Sequence, residues 1–197
     1  MDPGMPSAVT AFGSIAKYHK IEVEDDATIV TEYPNGAIGI FTTSTGEFPG
    51  TNRLEISGTL GKLVLEEGVM KLWKLKEDEE SFRFRSREGF AAIPYDYSEV
   101  RQEEPENGHL NILRNFSDAI RNGTPLISPG MDGLNELTLS NAAYLSMWTG
   151  KKITLPLDTE TYEKELKKRM ENSRVQLLSP ENDRIADTYS ERWQVRW

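Results

Sequence analysis

The fold of this chain is decided by one stretch, Asp26–Leu65, which reads DATIVTEYPNGAIGIFTTSTGEFPGTNRLEISGTLGKLVL. Asn35-Gly36 separates two runs that are rich in β-branched and aromatic residues. This is the strongest short-range signal for a β-hairpin, because a type I′ turn needs positive φ at both central residues. A two-residue loop at this point predicts that facing residues pair as Tyr33 with Ile38, Thr31 with Ile40, and Ile29 with Thr42.

Working outward, the pattern predicts further strands. Arg53–Ser57 and Lys62–Glu66 are expected to extend the hairpin sheet. Alternating apolar residues indicate additional strands on both sides of this region, at Pro6–Ile15, Val69–Lys76 and Ser81–Arg87. Tyr95–Glu103 is either one more strand or an extended link. The first 103 residues are therefore dominated by β-structure.

The periodicity then changes from two to about 3.6. Leu110, Leu113, Phe116 and Ile120 form one apolar stripe of a helix that Gly123 is placed to end. Two more helices are predicted, one from about Asp132 to Thr149 and one over Thr159–Ser173. Strands followed by helices indicate an α+β fold, with an open, mostly antiparallel sheet, helices packed on one face and the other face open.

Length and composition limit the class of protein. The 197 residues suit one domain at 6–175, after a scar or linker at 1–5 and before a C-terminal tail at 176–197. The chain has no cysteine, which fits a cytoplasmic protein. No apolar run reaches the roughly 20 residues that span a membrane, so we expect no membrane partner. The net charge of −9 also argues against a nucleic-acid partner.

Two long runs resemble one known family. They are VEDDATIVTEYPNGAIGIFTTSTGEFPGTNRLEISGTLGKLVLEE and GHLNILRNFSDAIRNGTPLISPGMDGLNELTLSNAAYLSMWTGKKITLP. The first resembles the sheet domain, and the second the C-terminal helices, of the Gfo/Idh/MocA (glucose–fructose oxidoreductase/inositol dehydrogenase) family. The resemblance implies the C-terminal, substrate-binding and oligomerisation domain of an NAD(P)-dependent oxidoreductase that acts on a sugar or cyclitol.

The chain departs from the family pattern in its cofactor and catalytic motifs. It has no Gly-x-Gly-x-x-Gly motif after a strand and no alternating strand–helix pattern. The family's Glu-Lys-Pro motif has no match, and its Asp-x-x-x-His motif belongs before Pro6. We therefore expect NAD or NADP to bind in a missing N-terminal Rossmann domain of a parent enzyme. This fragment alone is expected to bind no cofactor and to be inactive.

Four polar residues at strand or helix ends are the candidate substrate-binding residues: His19, Asn52, Arg53 and His109. His19 is either a solvated loop histidine or a substrate contact, and His109 either starts a helix or lies at the mouth of the site. Arg53 is either a surface arginine paired with Glu55 or Glu32, or a substrate contact. No catalytic residue is assigned, and neither histidine has a partner at metal-ligand spacing. The acidic run Glu24-Asp25-Asp26 is interpreted as a solvated turn.

The open face of the sheet is expected to form a homodimer or higher homo-oligomer, and the alternative is that it packs against the missing Rossmann domain. Its predicted residues are Thr28, Val30, Glu32, Phe41, Thr43, Arg53 and Glu55. A second hypothesis for the whole chain is a stand-alone, non-catalytic sugar-binding or scaffold protein.

Overall fold

The structure, a computed structural model, describes residues 4–101 and 108–173. These residues divide into two compact units. The first unit holds residues 4–48 and 109–173, and the second, residues 49–101 and 108, interrupts it in the sequence. The predicted tail at 176–197 lies outside the described residues. The predicted boundaries of a domain at 6–175 remain a prediction.

The described residues form strands in the first half of the chain and mainly helices in the second. In chain order they are β1 (Ala8–Ile15), β2 (Glu24–Glu32), β3 (Ile38–Ser44), β4 (Arg53–Gly58), β5 (Gly61–Glu66), β6 (Val69–Leu75), α1 (Glu79–Arg85), β7 (Tyr95–Arg101), α2 (Gly108–Asn122), α3 (Asp132–Thr149), β8 (Ile153–Thr154) and α4 (Thr159–Asn172). Two open antiparallel sheets with helices confirm the predicted α+β class.

The first unit is organised around a four-stranded sheet in the order β3-β2-β1-β8. Helix α3 packs on one face of this sheet, where Val9 and Ala11 of β1 meet Ala142 and Ala143. The small alanines let the helix backbone approach the strand closely. The hydroxyl of the buried Ser146 accepts the Ala11 N–H at 2.9 Å and donates to the Lys151 carbonyl at 2.7 Å. Backbone groups on both sides of this core are thereby satisfied.

The predicted hairpin forms between β2 and β3, but its predicted register is wrong by one residue. Glu32 pairs with Ile38, and Val30 pairs with Ile40. The Gly36 N–H donates to the Tyr33 carbonyl at 3.0 Å, and Gly36 has a φ of 84°. Pro34 fixes the φ that the second position of a type I turn requires, so the loop contains three residues and ends on a left-handed glycine.

The shifted register changes which residues lie on the open face of the first sheet. Phe41 pairs with Ile29, which packs against the α3 core, so the prediction of Phe41 and Thr43 on the open face is wrong. The open face instead carries one residue in two along each strand: Phe12, Thr28, Val30, Glu32, Ile38 and Ile40. Ile38 and Ile40 are 68% and 73% exposed, so this face is strongly apolar on the side of β3.

The second unit is a four-stranded meander in the order β4-β5-β6-β7. The third and fourth predicted strands therefore exist, but they do not extend the hairpin sheet. Arg53 and Glu55 belong to this second sheet, so their predicted place on the open face of the first one is wrong.

The prediction of a strand at Ser81–Arg87 is wrong, because residues 81–85 lie in helix α1 and Ser86 is its C-cap. The Asp78 carboxylate accepts the Ser81 N–H at 2.9 Å and caps the helix. Glu79 and Glu80 lie in its first turn, and Arg83 and Arg85 lie in its last. This order of charges complements the helix dipole and outweighs the alternation of phenylalanines on which the strand prediction rested.

The predicted ends of the long helices are confirmed. Gly123 (φ 69°) follows α2 and donates its N–H to the Ala119 carbonyl, and Gly150 (φ 66°) ends α3. Asp158 caps α4 with hydrogen bonds from the N–H groups of Glu160 and Thr161. Within residues 4–101 and 108–173, no helix is long and apolar enough to cross a membrane.

Candidate functional site

A β-bulge in β2 determines where the candidate site forms. Strand β1 pairs Ser14 with Asp26 but Ile15 with Glu24, so Asp25 is an extra residue on β2. A bulged residue leaves the regular ladder, and its side chain is re-aimed. The Asp25 side chain is fully buried under the loop that joins β1 to β2. The interpretation of residues 24–26 as a solvated turn is therefore wrong for Asp25.

The buried carboxylate organises the β1–β2 loop. One oxygen of Asp25 accepts the Lys17 N–H at 3.0 Å, and the other accepts the N–H groups of Tyr18 at 2.7 Å and His19 at 2.9 Å. Burial on its own raises the pKa of Asp25, but these hydrogen bonds and the one from the His19 ring outweigh it and lower the pKa from 3.8 to about 2. Asp25 is therefore an ionised carboxylate at neutral pH.

His19 is held by two further contacts at its ring. Its Nδ1 lies 3.3 Å from Asp25 Oδ2 and 3.2 Å from Thr45 Oγ1, the latter just beyond the end of β3. Thr45 is itself fixed, because its N–H and its hydroxyl donate to the Asp25 carbonyl at 3.0 Å and 3.2 Å. The ring edge that carries Nδ1 therefore faces Asp25 and Thr45, while the side chain as a whole is 49% exposed.

The two residues before His19 in the loop are also held by contacts of their own. The Tyr18 ring lies on Gly46, where an added Cβ would come within 2.2 Å of the ring. Lys17 Nζ bonds Asp26 at 2.6 Å and lies 4.8 Å from the centre of the Tyr18 ring. The hydrogen bond to Asp26 is the main reason why the pKa of Lys17 is raised. These contacts fix residues 17–19 of the β1–β2 loop.

A cavity of about 180 Å³ lies beside this cluster, between the start of β2, the end of β3 and helix α3. Its polar lining comes from both strands and from the helix: Glu24, Asp25, Asp26, Thr43, Ser44, Thr45, Ser140 and Tyr144. Within the described ranges, no group of three or more metal-ligating side chains is found. Carboxylate and hydroxyl groups therefore line part of this cavity beside apolar side chains, and Asp25 and Thr45 belong both to its lining and to the His19 cluster.

A larger groove of about 690 Å³ in the same unit is lined mainly by apolar and aromatic side chains. Trp148 stacks on Tyr162 with ring centres 5.6 Å apart, and the Arg169 guanidinium lies 4.4 Å from the Trp148 ring. The indole N–H of Trp148 donates to Glu24 at 3.1 Å. These groups already pair with one another, whereas the side chain of His19 is half exposed, so the cluster around His19 is the stronger candidate site.

The other three predicted site residues are divided between the two units. Asn52 and Arg53 belong to the second unit, and Arg53 bonds Glu55 at 2.5 Å and Glu66 at 3.1 Å. The hydrogen bond to Glu55 is the first cause of the raised pKa of Arg53. His109 is exposed at the start of α2. The structure therefore brings neither Asn52 nor His109 into a cluster.

Two residues of the candidate site, Asp25 and Thr45, were missed in the sequence. Asp25 stands between two other acidic residues, a pattern that is typical of an exposed turn. The polar loop before Asp25 was the one available signal. An Asp side chain next to such a loop can accept hydrogen bonds from the backbone N–H groups of the loop.

A protein-family model matches the first third of the chain. Residues 3–64 match the family model described as the GFO/IDH/MocA C-terminal domain. This confirms the resemblance found in the sequence, and the matched segment contains His19, Asp25 and Thr45. No curated protein sequence matches the chain.

Solved structures share the fold. An oxidoreductase domain protein from Kribbella flavida gives a TM-score of 0.59 at 17% identity, over 77% of this chain and 44% of its own. Aldose-aldose oxidoreductase from Caulobacter crescentus, complexed with glycerol, gives 0.56 at 21% identity, over 77% and 42%. An oxidoreductase from Agrobacterium radiobacter, in complex with NAD+, L-tartaric acid and magnesium, gives 0.52 at 23% identity, over 77% and 44%. The chain spans less than half the length of each of these proteins.

Proposed function

We propose that this chain is the C-terminal domain of an NAD(P)-dependent oxidoreductase that acts on a sugar or cyclitol, and that it supplies part of the substrate site. The observation that carries the proposal is the family match over residues 3–64, because that segment also contains the His19 cluster. The half-exposed ring of His19, held by Asp25 and Thr45, offers a hydrogen-bonding group to a substrate with several hydroxyl groups. The cysteine-free composition supports a cytoplasmic location.

The described residues do not fit a nicotinamide nucleotide. Every strand pair among them is antiparallel, whereas dinucleotide sites use a glycine-rich loop between a parallel strand and a helix N-terminus. We therefore assign this chain to the substrate side of the reaction and place cofactor binding in another part of the whole enzyme. The oxidoreductase from Agrobacterium radiobacter was solved in complex with NAD+, which supports a nicotinamide cofactor for the whole enzyme.

Titration of the purified chain with NADH and NADPH, followed by cofactor fluorescence, tests this division of labour. We expect no binding of either nucleotide. A micromolar dissociation constant would contradict the assignment.

Kinetics of His19→Ala and Arg53→Ala in the whole enzyme test these two candidate substrate-binding residues. Loss of a substrate hydrogen bond costs about 0.5–1.5 kcal/mol in kcat/KM, so only a variant of a residue that contacts the substrate should show this loss. Unchanged kinetics in both variants would leave these residues with structural roles.

The open face of the first sheet is the surface to which we assign homo-oligomerisation. Its apolar residues, Phe12, Val30, Ile38 and Ile40, lie on three neighbouring strands. Phe12, Ile38 and Ile40 are each more than two-thirds exposed. In a dimer with two-fold symmetry, this apolar face would pack against the same face of the second copy.

A further inference from the structure

The contacts around the His19 ring determine which of its two nitrogens carries the proton. A neutral imidazole has one N–H donor and one acceptor nitrogen, and the choice between them follows from its partners. The two atoms within hydrogen-bonding distance of Nδ1 are Asp25 Oδ2 at 3.3 Å and Thr45 Oγ1 at 3.2 Å.

Both of these partners act as acceptors. An ionised carboxylate such as that of Asp25 can only accept. A hydroxyl has one proton, and that of Thr45 is donated to the Asp25 carbonyl at 3.2 Å, so its oxygen is left to accept. An unprotonated Nδ1 would place a lone pair against a carboxylate and leave both contacts without a proton. Nδ1 must therefore be the protonated nitrogen.

We infer that Asp25 and Thr45 hold His19 in the Nδ1–H tautomer, so that Nε2 is a fixed hydrogen-bond acceptor for a hydroxyl group of a polyol ligand. The assignment of the ligand rests on the function proposed above, whereas the assignment of the tautomer does not. No described residue donates a hydrogen bond to Nε2, and the ring is half exposed. An unprotonated Nε2 can accept a hydrogen bond from a ligand hydroxyl group.

Asp25 positions the His19 ring together with Thr45, in addition to holding the backbone of the β1–β2 loop. Three backbone N–H groups would be enough to bury the Asp25 carboxylate. The bulge at Asp25 and the position of Thr45 at the end of β3 also fix the plane and the tautomer of a side chain that is not needed for the core. Asp25 and Thr45 are thus positioning residues for His19.

Nitrogen NMR of histidine-labelled protein tests the tautomer directly. The chain has two histidines, so His109 serves as an internal control, and His109→Gln assigns the signals. At a pH where both rings are neutral, we expect a protonated Nδ1 and an unprotonated Nε2 for His19. A protonated Nε2 on His19 would overturn the inference. Thr45→Val should weaken the preference, while Thr45→Ser, which keeps the hydroxyl, should preserve it.

Titration with myo-inositol and with glucose tests the ligand. We expect the polyol that binds to shift the Nε2 signal of His19, and His19→Ala to weaken its affinity about three- to tenfold. Asp118→Ala, an exposed position on α2 in the same unit, should leave the affinity unchanged. Binding that leaves Nε2 unshifted, or no binding of either polyol, would overturn the assigned ligand. Turnover of the whole enzyme reports on the proposed function separately, because it does not depend on which nitrogen of His19 is protonated.

Discussion

The side chain of Asp25 is fully buried, whereas the ring of His19, only 3.3 Å away, is 49% exposed. The buried Asp25 carboxylate thus holds the exposed His19 ring in place. The buried partner receives its hydrogen bonds from the backbone, so it does not depend on the exposed one to be satisfied. Removal of His19 should therefore leave the loop folded, and removal of Asp25 should not.

Asp25→Asn should destabilise the first unit in a pH-dependent way. Hydrogen bonds lower the pKa of Asp25 to about 2, below its usual 3.8. A lowered pKa stabilises the folded state above about pH 4, and this contribution is lost as the pH falls towards 2. We expect the variant to melt roughly 4–8 °C lower at neutral pH, and the difference to shrink between about pH 4 and 2.

Thermal unfolding followed by circular dichroism across this pH range measures the effect. Asp118→Asn is the matched control, because Asp118 is exposed on α2 in the same unit. A constant difference between Asp25→Asn and the wild type at all pH values would contradict the assigned role of the carboxylate.

Gly46→Ala should loosen the β1–β2 loop. An added Cβ would lie 2.2 Å from the Tyr18 ring, so the ring must move and take the loop with it. We expect faster hydrogen exchange at the amides of residues 17–19, which are protected by Asp25 in the wild type. Gly133→Ala is the control, since no atom lies within 4 Å of its added Cβ. Equal exchange in both variants would show that the loop does not depend on this contact.

Ser146→Ala should cost the first unit about 1–3 kcal/mol of unfolding free energy. The substitution leaves the Ala11 N–H and the Lys151 carbonyl without the hydroxyl that joins them. Urea denaturation measures the loss. Ser140→Ala is the control on the same helix, because the Ser140 hydroxyl bonds only to the nearby Leu137 carbonyl. A loss of under about 0.5 kcal/mol in Ser146→Ala, typical of surface substitutions, would refute this role.

Ile40→Glu should dissociate a homo-oligomer that forms through the open face. The side chain is 73% exposed in the chain alone and lies beside Val30, so a glutamate would bring a charge into an apolar contact. Phe41→Glu, its neighbour on the opposite face, should leave the mass unchanged. Sedimentation equilibrium distinguishes the two variants. A wild-type monomer at micromolar concentration would disprove the assignment of this face.

Local signals in the sequence were sufficient for most strands and helices, but not for their arrangement. The Asn35-Gly36 pair correctly placed a hairpin, yet Pro34 set the loop length and moved the register by one residue. The phenylalanines of residues 81–87 suggested a strand, whereas the Asp78 cap and the charges beside it form a helix. Register and sheet membership depend on turn geometry and on long-range pairing, which a pattern of apolar residues does not encode.

The candidate site was only partly predictable for a related reason. His19 was recognised as a polar loop residue, but its partners come from a β-bulge and from the end of another strand. A bulge inserts one residue without changing the composition of the strand. Asp25 therefore looked like one of three exposed carboxylates, although it is the one that is buried.

The interruption of the first unit by the second affects the order in which the chain can fold during synthesis. Strand β1 needs α3 and β8, which are made more than 100 residues later, as the hydrogen bond from the Ala11 N–H to Ser146 illustrates. The meander of the second unit uses only neighbouring strands and can form as it leaves the ribosome. Until α3 has been synthesised, we expect the apolar faces of β1, β2 and β3 to remain uncovered. A chaperone would therefore protect the chain most during this interval.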